Sequence, residues 1–391
     1  MERIVARASA VRDLSRPLVW FHAPSVGEGL QARPVVHAMR DADPTLQFAY
    51  TFFSPSAERF AESVRADITD YLPFDGVREA DALLDAMRPA ALVFVKLDVW
   101  PTLVARAAAR GIPVALLSAT VAPESSRLGR ASRAITRDAY AALAAVGAIS
   151  ESHGKRLELL GVRRAVVQVT GDTRFDQVWE RAAAVDRTST LLSRLASARP
   201  TLVAGSTWPA DEAVLLPAWK TVRAAVPNAR LIVVPHEPTP SHVDPVVSWG
   251  RSAGLETVTL DRALSEGSHA DVVVVDQTGV LGELYALADV AFVGGGFHAA
   301  GLHSVIEPAA FGAPVTFGPG HRMSREAGLL LEAGGARSVA TSAELAMALG
   351  AWLGDPPRRA SSGALAREVV ETGRGATARS VALVRGLWAG A

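Results

Sequence analysis

Short apolar runs alternate with helical stretches along most of this chain, and few folds accept that rhythm. Residues 18–23, 47–52, 91–95 and 114–118 each read as a buried strand. Helices are expected from about Gln31 to Arg40, after the Ser54-Pro55-Ser56 turn, and over residues 80–87, where Arg88-Pro89 stops the chain. Residues 144–149 and 166–170 continue the pattern, and residues 179–194 read as a helical connection. The rhythm then restarts with strands at residues 201–204, 231–235, 257–260, 271–275 and 290–293. Such alternation means a parallel sheet covered on both faces. Two rounds of it predict an α/β chain of two Rossmann-like doubly wound domains facing each other across a cleft. Their expected spans are residues 1–180 and 181–391, with the crossing in the region 176–198. A last helix, from about Ala376 to Trp388, is free to cross back onto the first domain. Ligands of such sheets bind outside the carboxyl ends of the strands, so the turns that follow strands carry the functional candidates.

The stretch 289–319, DVAFVGGGFHAAGLHSVIEPAAFGAPVTFGP, is the most informative of these turns. Gly294-Gly295-Gly296 lets the backbone turn tightly and lie close to a ligand. His303, Ser304 and Glu307 fall at or near a helix start, where free N–H groups suit a phosphate and a carboxylate can accept from a ribose. Ala313-Pro314 breaks that helix and residues 315–317 return to the sheet. The stretch reads either as a nucleotide site or as an ordinary glycine-rich loop.

Composition narrows the classes. Lys plus Arg and Asp plus Glu number 40 each, so net charge argues against nucleic acid as the main partner. There is no cysteine, which removes disulfides, thiolate metal sites and Cys nucleophiles. No apolar run reaches the roughly 18 residues needed to span a bilayer. The leading segment, with Arg3, Arg7, Arg12 and Arg16, is either a basic amphipathic helix for an anionic surface or a solvated leading helix.

Other turns bear chemistry. In HAPSVGEG, Ser25 and Gly27 precede Glu28, which the flanking glycines place in a turn. A partly desolvated carboxylate there can have its pKa raised and act as a general base, or can simply complement a helix N-terminus. His22 is equally a packed strand-end histidine. In FVKLDVWP, strand alternation would put Lys96 and Asp98 on one side, as a salt bridge or as contacts to an acidic acceptor. GDTRFD, with Arg174, and GSTW, with Gly205, Ser206 and Thr207, suit backbone binding of phosphate or carboxylate, and Arg174 can equally tie the domains together. VPHEP turns His236 and Glu237 toward the cleft; with His242 they fit no standard metal spacing. In DQTGVLGEL, Thr278 and Gly279 start a helix and can meet a base or serve as a cap.

These motifs occur in one order, and that order resembles a known family. WFHAPSVGEGLQARP, TFFSPSAERF, YLPFD, FVKLDVWP, GIPVALLSA, GDTRFDQV, GSTWPADE and the 289–319 block are similar to the 3-deoxy-D-manno-octulosonic acid (Kdo) transferases of lipopolysaccharide inner-core synthesis. The resemblance covers about residues 18–335; SVGE and the GGGF…HSVIEP…FGP block carry it, and GIPVAL alone would not. It implies the GT-B fold and inverting transfer of Kdo from CMP-Kdo to a lipid A precursor, with no cofactor and no metal. It makes Glu28 the general base and puts Glu307 on the ribose. Ser304, Gly295 and Gly296 would lie beside the phosphate and Gly318-Pro319 near the nucleotide, with helix N-termini stabilising the leaving CMP. His236, His303, Thr278, Gly279 and the Gly205–Thr207 turn complete the expected donor side; Ser25, Gly27, Lys96, Asp98 and Arg174 the acceptor side.

The sequence departs from the better-known form of the family at three places. Lys96 and Asp98 stand where an acidic pair precedes WP, Pro235-His236-Glu237 replaces PRH, and HSVIEP replaces HNPLEP. The hydrophobic N-terminal anchor of many relatives is not visible either. Peripheral attachment to the cytoplasmic face of the inner membrane would then use surface helices and basic side chains. The same architecture also serves UDP-sugar transferases and epimerases, which preference for CMP over UDP separates, and non-catalytic nucleotide-sugar binding proteins, whose signature is CMP binding without turnover.

Overall fold

The computed structural model describes residues 1–266 and 269–388. Among them the strands form two seven-stranded parallel sheets, and the chain divides into two compact units, Met1–Gln177 with Gly373–Ala391, and Val178–Thr372. In the first unit the strands are β1 (Leu18–His22), β2 (Gln47–Phe52), β3 (Ile68–Tyr71), β4 (Ala91–Val95), β5 (Val114–Ala119), β6 (Ala145–Ala148) and β7 (Val167–Val169). Their order is β3-β2-β1-β4-β5-β6-β7, so the direction of winding reverses between β1 and β4. In the second unit they are β8 (Thr201–Thr207), β9 (Arg230–Pro235), β10 (Thr257–Thr259), β11 (Val272–Val274), β12 (Val290–Val293), β13 (Val315–Phe317) and β14 (Ala336–Ser338). Here the order is β10-β11-β9-β8-β12-β13-β14, and the reversal lies between β8 and β12.

Period-two side-chain alternation explains how each sheet is covered twice. Leu18, Trp20, Leu92, Phe94 and Leu116 join one core, while Val19, Phe21, Val93, Val95 and Leu117 join the core on the opposite face. The second sheet divides likewise: Leu202, Leu231, Val233 and Phe292 on one side, Val203, Ile232, Val234 and Ala291 on the other. Two short strands went unread in the sequence, β3 and β14, because each alternates or breaks its apolar run within four residues or fewer.

The leading helix, Glu2–Val11, settles the reading of its arginines. Arg3 pairs with buried Asp70. Arg7 donates to the Thr69 carbonyl, Arg12 to the Met87 carbonyl at 2.7 Å and to Gln47, and Arg16 to the Thr45 carbonyl at 2.8 Å. These cations fasten the helix and the turn after it to the first unit, where a free basic face had been one expectation.

The GDTRFD motif also makes contacts within the chain. It opens the helix Thr173–Ala183, and its residues bind the chain itself. Asp172 is buried and holds Arg174 at 2.6 Å, while Gln31 donates to Asp172. Asp176 accepts from the Gly375 and Thr377 N–H groups at 2.5 and 2.6 Å, capping the last helix, Ala376–Arg385. That helix adds Leu383 and Val384 to the core of the first unit.

Candidate active site

In the first unit the candidate residues gather at the carboxyl ends of β1 and β4, the two strands that flank the reversal. Glu28 lies in the first turn of a helix, Val26–Ala42, five residues before the expected helix start. Ser25 is extended (φ −136°, ψ 177°) and the Gly29 N–H already bonds its carbonyl at 2.9 Å, so SVGEG begins the helix and is no glycine turn. Gly29 is needed for packing, since a Cβ there would collide with the Phe60 ring and the Tyr50 hydroxyl.

Both Glu28 carboxylate oxygens have donors. The Ser25 hydroxyl donates to Oε2, and Lys96 Nζ donates to Oε1 at 2.9 Å. The Glu28 side chain is 13% exposed and that of Lys96 51%. Burial pushes the Glu28 carboxyl up, but the bonds from Ser25 and Lys96 and the Lys96 charge outweigh it and hold the group below its ordinary value. This corrects the expectation of a raised pKa. Lys96 reaches Glu28 from the turn after β4 through a left-handed backbone (φ 67°), a conformation a non-glycine residue adopts at a cost.

Lys96 and Asp98 therefore do not pair, because the strand ends before Lys96 and its alternation does not carry on. Asp98 instead accepts from His22 Nε2 at 3.2 Å and from the Trp100 indole at 2.9 Å. Burial raises the Asp98 carboxyl, and those two donors more than reverse it. The Asp98 carboxylate can only accept, and this fixes the His22 tautomer. The Trp20 indole can only donate, and it does so to Thr51 Oγ1 at 2.9 Å. With the His22 proton on Nε2, facing Asp98, Nδ1 is the acceptor and Thr51 Oγ1 stands 3.0 Å from it. His22 is a packed strand-end histidine, fully buried.

In the second unit the turns after β8, β9 and β12 converge. Residue Asp211, which sequence reasoning passed over, organises them. It is fully buried in the helix Pro209–Ala225 and accepts from the N–H groups of Trp208 (2.9 Å), Gly295 (2.8 Å) and Phe297 (3.1 Å). Its position three residues after Trp208 signals a helix cap, but nothing local signals a contact 84 residues away. Gly295 has φ 89°, and a Cβ on it would strike the Gly301 carbonyl, so the turn demands glycine twice over. Gly296 abuts Gly318 from the turn after β13, and Gly320 N–H bonds the Gly296 carbonyl at 2.8 Å.

Around this turn four rings stack. Trp208 stacks on His298 (centroids 4.4 Å apart) and on His236 (4.6 Å), and His236 stacks on His303 at 4.5 Å. The Trp208 indole donates to His303 Nε2 at 3.3 Å. Burial first, then His236, lowers the His303 pKa. Thr207 donates to Glu212 at 2.8 Å, and Ser206 adopts φ 53° in the same turn.

The helix bearing Glu307 is one turn only, Ile306–Ala310, so His303 and Ser304 sit in the loop before it. Burial raises the Glu307 carboxyl, with Arg181 and the Ser304 hydroxyl working against it. Gly205 gives room to the Tyr285 hydroxyl, which a Cβ would strike. Thr278 and Gly279 form an exposed turn after β11, and Leu281, which follows that turn, packs at Gly205. His242 bonds the Glu237 carbonyl at 2.7 Å, and among the described residues no three His, Cys, Asp or Glu side chains gather as a metal site.

Residues 2–177 match the family model described as 3-deoxy-D-manno-octulosonic-acid transferase (kdotransferase). A 3-deoxy-D-manno-octulosonic acid transferase of Bordetella pertussis is 31% identical over 393 residues, covering 96% of this chain and 88% of the relative. One from Haemophilus influenzae is 26% identical over 376 residues, covering 94% and 86%. A glycosyltransferase from Rickettsia africae superposes with a TM-score of 0.62 over 96% of this chain and 100% of its own, at 10% identity, a likeness of fold.

Proposed function

The chain belongs to the 3-deoxy-D-manno-octulosonic acid transferase family, a family of glycosyltransferases, and we propose that it moves Kdo from CMP-Kdo to a lipid A precursor with Glu28 as general base. In this reading Glu28 takes the proton of an acceptor sugar hydroxyl as that oxygen attacks the anomeric carbon of Kdo. CMP departs with the bonding pair, and a single displacement inverts the configuration without a metal. The Gly294–Ser304 loop, Glu307 and the turn at Gly318-Pro319 form the donor side, with Glu307 on the ribose.

The observation that carries the proposal is the state of Glu28. It stands at the carboxyl edge of a doubly wound sheet, beside the reversal of strand order, ionised at neutral pH and still reached by solvent. A carboxylate in that state can take a proton. Ser25 and Lys96 hold it in one orientation. Lys96, more than half exposed beside it, can also meet an anionic acceptor group.

Among the described residues no helix is long and apolar enough to cross a membrane. We infer peripheral contact with the cytoplasmic face of the inner membrane through exposed apolar side chains of the first unit. Phe53 and Phe74 pack edge to face at 5.8 Å, and Phe74 is 80% exposed.

The test is direct. The protein is incubated with CMP-Kdo and a tetra-acylated lipid A precursor, with and without EDTA, and CMP release and product mass are followed. Turnover insensitive to EDTA is expected, and Glu28→Ala should abolish it while leaving the fold intact. An active Glu28→Ala enzyme would sink the base assignment; preference for UDP over CMP would sink the donor.

A further inference from the structure

The glycine turn after β12 has the look of an anion cradle, yet its donors are largely spent inside the protein. Gly295 and Phe297 N–H groups go to Asp211, Gly294 N–H to the Gly205 carbonyl at 2.9 Å, and His303 N–H to the Gly294 carbonyl at 3.1 Å. The buried Asp211 carboxylate also puts negative charge directly behind the turn, which disfavours a second anion there. Helix Ile306–Ala310 is a single turn and offers little dipole. Side chains that can still meet an anion include the three imidazoles stacked on and around Trp208.

His303 is the most constrained of them. His236 faces it from the turn after β9, Asp211 from the helix Pro209–Ala225, and His298 from its own loop. An indole N–H can only donate, so the bond from Trp208 requires His303 Nε2 to be unprotonated. A proton on that nitrogen would break the bond and free a charged donor next to His236. We propose that His303, with His236 stacked on it, recognises an anionic group of the donor as imidazolium, so that donor binding takes up a proton. The ligand chemistry is a phosphodiester or a sugar carboxylate, and the idea rests on the CMP-Kdo reading above. The positive charge then exists only when the donor is present, a role that a fixed guanidinium would fill at every pH.

The experiment measures KM for CMP-Kdo, kcat, and the inhibition constant of cytidine 5′-(methyl phosphate) between pH 5.5 and 8.5. Both anionic groups of the donor keep their charge over that range, so the ligand contributes no titration. Uptake of one proton makes log KM climb with pH toward a slope of one, about tenfold per unit, with kcat moving much less. The inhibitor following the same slope assigns the phosphodiester; CMP-Kdo alone following it assigns the carboxylate. His303→Asn and His236→Asn should each raise KM about tenfold at pH 6 and flatten the slope, since a neutral amide has no proton to gain. A pH-independent KM in the wild-type enzyme overturns the inference and leaves the donor reading standing. Absence of turnover with CMP-Kdo at every pH, with the inhibitor unbound, overturns both.

Discussion

At the reversal of the first sheet a carboxylate is still reached by solvent and a lysine lowers its pKa. At the reversal of the second sheet the carboxylate is buried beneath the turn and imidazoles line it. Glu28 and Asp211 both sit near the start of a helix that follows the first strand of their unit, and each is hydrogen-bonded on both oxygens. What separates them is the donor. Asp211 binds backbone N–H groups that cannot move away, while Glu28 binds two side chains that can. The first arrangement builds a loop, and the second leaves a carboxylate available for chemistry.

The sharpest way to break this contrast is to remove each carboxyl charge in turn. Glu28→Gln keeps the shape and should lower kcat by roughly 10²–10⁴-fold, the usual share of a general base, with CMP affinity unchanged by calorimetry. A residual rate above a tenth of wild type would put Glu28 with Asp211 among the structural carboxylates. Asp211→Ala should act on binding and stability instead. It leaves buried N–H groups without acceptors at about 1–3 kcal/mol each, so a loss of roughly 3 kcal/mol in denaturant unfolding is expected. Donor KM should rise while acceptor KM stays.

The glycines sharpen the same comparison at smaller cost. Gly29→Ala adds a methyl group against Phe60 and Tyr50, an overpacking worth about 1–3 kcal/mol. Gly27→Ala meets nothing closer than Ser25 Oγ at 3.8 Å and should be neutral or stabilise the helix by a few tenths of a kcal/mol. Thermal unfolding of the two variants separates a packing glycine from a permissive one. Equal losses would mean that the helix start is strained at both positions.

Strand positions were legible in the sequence because buried parallel strands are continuous apolar runs; β2, β4 and β12 fall on the expected residues. The two doubly wound halves followed from rhythm alone. The candidate site was expected at a set of turns, since topology places function at strand ends. Partnerships were not. Nothing within SVGEG shows that Gly29 faces Tyr50, so its glycines read as a turn when they are helical. Nothing in GDTRFD shows that Asp176 caps a helix about two hundred residues away, so the motif reads equally as an anion loop or as a tie between domains. Asp211 was missed for the same reason. Side chains whose partners are distant in sequence carry no local period or spacing to read.

The smallest expected effect tests the lysine. Lys96 donates to Glu28 and lowers its pKa, so Lys96→Met should raise that pKa. The base must be ionised to act. The acid limb of kcat/KM therefore moves to higher pH by about the same amount, while the rate at pH 7.5 changes little, because Glu28 is ionised there with or without Lys96. Stability carries the same sign. A carboxyl held below its unfolded value contributes stability above that value and loses it as pH falls, so the variant should be less sensitive to acid at this site. If Lys96→Met instead lowers kcat/KM equally at every pH, the ammonium is meeting an anion of the substrate. The first switch point would then bind by fixed charge, which sharpens its difference from the imidazoles of the second.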